Sequence, residues 1–113
     1  MKVIITKKLK KELEKFSKYF ELQELVNDLK EQGENFLHIH DNFFKFKSKL
    51  NSVSFRWVVV LMKEKENIIP LFIALKKDKL YGENIIWENY RKFIKKRFFI
   101  ILEELENWDY EEF

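Results

Sequence analysis

The sequence predicts an α+β protein: a small antiparallel sheet in β-α-α-β-β-β-α order, with an N-terminal helical hairpin and a C-terminal helix. Three observations predict it. Apolar residues recur at helical spacing through Leu9, Leu13, Phe16 and Phe20, then through Leu22, Leu25, Val26 and Leu29. From Asn35 the period drops to two, with Phe44, Phe46 and Ser48 alternating with Lys45, Lys47 and Lys49. After Gly82 the helical period returns through Ile86, Tyr90, Phe93, Ile94, Arg97, Ile101 and Leu105.

Each element has a local reason. Lys2–Thr6 is a β-branched run and reads as a first strand. Thr6 is placed to cap a helix over residues 7–18 with its hydroxyl. A second helix ends near Gly33, a natural C-cap. Phe36–His40 reads as a short additional strand or as the lead into a meander. Phe55–Met62, FRWVVVLM, is strongly β-prone, and Lys63–Asn67 is a polar turn. Ile68–Leu75 follows closely enough to pair antiparallel, and Pro70 marks an edge or a bulge there. Residues 84–106 form the last helix, and 107–113 read as a frayed tail. A sheet this small cannot bury its Phe and Val alone, so the hairpin must cover one face. The whole chain, 1–113, reads as a single domain.

Composition excludes several classes. Of 113 residues, 46% are hydrophobic and 17% aromatic, enough for a packed core rather than a disordered chain. Two glycines leave no room for a Gly-rich phosphate loop. The absence of cysteine removes disulfides, thiol nucleophiles and Cys-ligated metals. The longest apolar runs, such as Phe98–Leu102, are too short to span a bilayer, and MKVIITKKLKK has no signal-peptide core. The expectation is a cytoplasmic protein with no membrane role and no cofactor. Charge is uneven. Residues 1–81 carry 17 basic and 11 acidic side chains, residues 82–113 carry 5 and 8, and Lys45–Tyr81 alone carry 9 and 3. A basic middle points to a polyanion-facing surface, although a Lys-rich composition also solvates ordinary surfaces.

The candidate site sits in the meander. Period-two spacing puts Lys45, Lys47 and Lys49 on one sheet face. Phe55-Arg56-Trp57 opens the next strand. Lys76, Lys77 and Lys79 with Tyr81 follow the last one. An antiparallel meander brings Arg56 beside both lysine groups, giving a basic cleft with a tyrosine at its rim. The plainer reading of the lysines is the wet face of a sheet. His38 and His40 share a face if their stretch is extended, but two His without Cys is thin support for zinc, and no metal is expected. Trp57, Trp87 and Trp108 read as packing anchors rather than base-stacking platforms.

The segments KFKSKLNSVSFRWVVV and FIALKKDKLY, on this element order, resemble the RelE/ParE toxin superfamily, and within it the RelE-like messenger-RNA interferases. The resemblance covers Lys2 to about Tyr81 in topology and residues 45–81 in motif. It implies a toxin of a type II toxin–antitoxin system that cuts messenger RNA on the ribosome without a metal. Its partners would be a cognate antitoxin, the ribosome and messenger RNA. It implies catalytic roles for Arg56, Tyr81 and Lys47, and RNA binding by Lys45, Lys49, Lys76, Lys77 and Lys79. The chemistry suits these residue types. The ribose 2′-hydroxyl attacks the adjacent phosphate, Tyr81 takes the proton with its pKa lowered by cations, and Arg56 grips phosphate oxygens. DNA, lacking the hydroxyl, would be no substrate. Three features depart from the family pattern: a longer segment between Lys47 and Arg56, lysine in place of arginine at Lys76 or Lys77, and a longer C-terminal helix. The rival readings are a ParE-like inhibitor of DNA gyrase without nuclease chemistry and a degenerate member that only binds antitoxin or RNA. The stretch FFIIL is apolar beyond one helix stripe, so an antitoxin groove including Phe98 and Ile101 is expected. The six carboxylates from Glu103 to Glu112 could mask the basic cleft.

Overall fold

A computed structural model describes residues 2–31, 36–62, 66–75 and 87–113. The protein is mixed α/β. Its elements are β1 (Lys2–Thr6), α1 (Lys7–Glu14), α2 (Leu22–Glu31), β2 (Leu37–His40), β3 (Phe43–Leu50), β4 (Val53–Met62), β5 (Asn67–Leu75), α3 (Trp87–Glu106) and β6 (Tyr110–Glu112). The six strands form one sheet in the order β2-β3-β4-β5-β1-β6.

The sheet is not wholly antiparallel as expected. β1 runs parallel to β5, with Val3 opposite Ile68. The chain between them, through α1, α2 and three strands, is long enough to return β5 in the same direction. Two strands extend the expected order. β2 pairs with the first half of β3, and β6 pairs antiparallel with β1. The tail over 107–113 therefore does not fray. Backbone bonds between Val3 and Phe113, in both directions, fasten its end.

Helices cover both faces. On one side α1 and α2 pack Leu9, Leu13, Leu25, Val26 and Leu29 against Val3, Ile5, Phe46, Phe55, Trp57 and Val59. On the other, Ile94 and Ile101 of α3 pack against Ile4, Phe43, Val58, Val60, Ile69 and Leu71. Burial on both faces explains why β4 and β5 read as nearly continuous apolar runs, FRWVVVLM and NIIPLFIAL.

Two local expectations are corrected. α1 ends at Glu14 rather than at residue 18. Lys15, Phe16 and Ser17 instead donate to carbonyls three residues back, a tightening that turns Phe20 onto Phe55, centroids 5.1 Å apart. Thr6 sits at the N-cap of α1, but its buried hydroxyl makes no capping bond. The Glu104 carboxylate accepts from the Lys8 amide at 2.9 Å, and the Asp109 carbonyl accepts from the Lys7 amide at 2.9 Å. Two of the orphan donors of α1 are thus met by residues near 104–109. Pro70 lies at a bulge, where the β4–β5 register shifts between Val58 and Val59.

Candidate nucleic-acid interface

The hairpin between β3 and β4 decides the site. Asn51 and Ser52 both have positive φ, 51° and 67°, and join Leu50 to Val53 as a two-residue turn. Two left-handed residues match the twist of adjacent strands, the primed hairpin geometry. The Asn51 amide donates to the Tyr19 carbonyl at 2.7 Å and to Glu24 at 3.2 Å, tying the turn to the helical layer. The residues between Lys47 and Arg56 are taken up by the paired ends of β3 and β4 and by this turn. Their register is Lys45 with Val58, Lys47 with Arg56 and Lys49 with Ser54.

This register places Lys45, Lys47, Lys49 and Arg56 on the α3 side of the sheet. The intervening Phe46 and Ser48 face α1 and α2, where Ser48 donates to the buried Asp28 carboxylate. Lys47 and Arg56 are directly opposed. Cross-strand partners stand about 5 Å apart at Cβ, and like charges so placed are destabilising. No Asp or Glu occurs in β3, β4 or β5 to offset them. Among the described residues, Lys47, Lys49 and Arg56 form no ion pair. The buried Arg56 Nε and Nη1 have no hydrogen-bond partner among the described residues. Lys45 titrates below its ordinary 10.5, chiefly through burial and then through Lys47 and Arg56. Cations accumulate on this face of β3 and β4, with no carboxylate from either strand between them.

Lys76, Lys77, Lys79 and Tyr81 lie outside the described residues, so the structure brings together four of the eight expected site residues. His38 and His40 do not share a face. An irregularity between them turns His38 onto Phe44, at 5.2 Å, and His40 flat onto Trp87, at 4.2 Å. Among the described residues no group of three His, Asp or Glu could hold a metal. Nor is any described helix long and apolar enough to cross a membrane. The acidic tail does not mask the basic face. β6 lies at the opposite edge of the sheet, where Glu111 pairs with Lys10 and Glu112 with Lys2 at 3.3 Å. The expected groove at Phe98 and Ile101 is also core: Ile101 is buried and Phe98 packs on Phe43, while Phe99 is 66% exposed.

One group was missed. Arg91, Lys92, Lys95 and Lys96 are all exposed on the first half of α3. The net acidic total after residue 81 concealed them, because the acids cluster at the far end. The run RKFIKKR was the available signal.

No protein-family model, no curated protein and no solved structure matches this chain.

Proposed function

We propose that the basic face of β3 and β4 binds an RNA backbone, and that the protein is a RelE-like toxin cutting messenger RNA on the ribosome. The opposition of Lys47 and Arg56, with Lys45 alongside and no acidic residue in the three central strands, carries this reading. A sheet that sets like charges across from each other loses stability, and a bound phosphodiester restores it. On this reading Arg56 contacts the scissile phosphate and stabilises the charge that builds there. Lys45, Lys47 and Lys49 hold neighbouring phosphates, and the 2′-hydroxyl is the nucleophile. Tyr81, as phenolate, takes its proton, the bond from phosphorus to the 5′-oxygen breaks to leave a 2′,3′-cyclic phosphate, and water protonates the departing 5′-oxygen; Lys76, Lys77 and Lys79 add positive charge. A cognate antitoxin silences the protein by covering this face.

Two measurements test it. Expression of the chain should stop protein synthesis before DNA synthesis in pulse labelling; the reverse order favours a gyrase target. Arg56→Ala and Tyr81→Phe should each cut message cleavage about a hundredfold or more, the usual loss of roughly 2.7–4 kcal/mol for one preorganised contact. Primer extension on translated messages reads this loss. Full cleavage by both folded variants would remove these residues from the chemistry.

A further inference from the structure

Resting on the RNA reading above, we infer that the binding surface continues across Trp87 onto α3, where Arg91, Lys92, Lys95 and Lys96 hold a second stretch of the same RNA backbone. The two cationic groups are contiguous. Phe43 precedes Lys45 by two residues on the same sheet face, and its ring stacks on Trp87 at 5.7 Å. The Lys95 ammonium lies 5.9 Å from the centre of the Trp87 ring. His40 lies flat on Trp87 and keeps its side chain about half exposed, so the junction offers a flat ring on which an unpaired base can stack.

The arrangement on α3 does not serve the helix. Arg91 with Lys95 and Lys92 with Lys96 are like-charge neighbours one turn apart, which weakens a helix. Glu88 holds the first turn, one turn from Arg91 and Lys92, but the four cations outnumber it, and Glu103, Glu104 and Glu106 fill the last turns, where the helix dipole favours cations. Glu104 has a separate task, capping α1. Cations at the other edge are internally neutralised: Lys2 by Glu112, Lys10 by Glu111 and Arg97 by Glu12. Arg91, Lys92, Lys95 and Lys96 form no ion pair among the described residues. A continuous RNA strand supplies the missing charge at the matching spacing of a surface, not of a point.

The test is the salt dependence of binding to a labelled single-stranded RNA of about 20 nucleotides, longer than one short binding groove covers. Changing Arg91, Lys92, Lys95 and Lys96 together to Gln should flatten the slope of log affinity against log salt by about 3, at about 0.7 per lost phosphate contact. Lys47→Gln with Arg56→Gln should flatten it by about 1.4. Lys92→Arg, Lys95→Arg and Lys96→Arg together should keep the wild-type slope, and circular dichroism confirms that each variant is folded. An unchanged slope in the α3 variant, with loss in the β3–β4 variant, overturns this inference and leaves the RNA reading standing. No RNA binding by the wild-type chain overturns both. Displacement of the RNA by poly-glutamate at equal charge would assign the α3 surface to an acidic protein segment and overturn the inference.

Discussion

Lys45 reports the state of the basic face. Burial holds its pKa below 10.5, and Lys47 and Arg56 push it further down. Below the lowered value both folded and unfolded chains carry the proton, and the folded chain bears the full penalty. Between that value and 10.5 the unfolded chain still holds a proton that the folded chain has shed. Stability contributed by this site therefore rises with pH across that interval, and the penalty is gone above 10.5. Lys47→Gln and Arg56→Gln should each move the Lys45 titration back toward 10.5, followed by the NMR shift of its Cε. A bound phosphate should do the same. If neither substitution moves the titration, the three cations are not electrostatically coupled. Lys45→Met should raise the urea midpoint at neutral pH, because it removes the repulsion and keeps the stem that covers apolar surface.

Short elements carry testable strain and anchorage. Ser52 holds φ 67° without glycine's freedom, so Ser52→Gly should stabilise the fold by about 1 kcal/mol. Asn51→Ala should cost about 1–3 kcal/mol, because the Tyr19 carbonyl loses its donor and the left-handed turn loses a tolerant residue. Phe113 is half-buried against the helical-hairpin side of the sheet and bonded to Val3 at the backbone. Phe113→Ala should cost about 1–3 kcal/mol, read from the same urea midpoints. A cost near zero would mean that β6 contributes little despite its pairing. These elements also show how far the sequence is legible. The alternation in β3 was readable because it is local: Phe46 inward and Lys47 outward follow from the pleat alone. The register of Arg56 was not, because Asn51-Ser52 lacks the glycine that announces a tight hairpin. β6 escaped notice because three residues have no pattern of their own, and their pairing depends on the open edge of β1. The Thr6 cap failed for the same reason, since Glu104 arrives from the other end of the chain. For the site, the cations of β3 and β4 were legible as a group, whereas those of α3 were hidden by charge averaging with Glu103 to Glu112.

At the scale of the molecule, charge is divided between two edges. The β1–β6 edge carries one ion pair within it, Lys2 with Glu112, and one to α1, Glu111 with Lys10, and the β3 side is left cationic. That division predicts a strong salt dependence for any polyanion bound to β3 and α3 and a weak one for anything bound near β6. The sheet order has a second consequence. Both neighbours of β1, namely β5 and β6, come from the second half of the chain. β1 is therefore made before either of its neighbours. During vectorial synthesis the α1–α2 hairpin emerges before the completed sheet against which Val3, Ile5, Leu9 and Leu25 are buried in the folded protein. Pulsed hydrogen exchange on nascent chains should show amide protection of β1 only after β5 has left the ribosome exit tunnel, whatever protection α2 has gained by then.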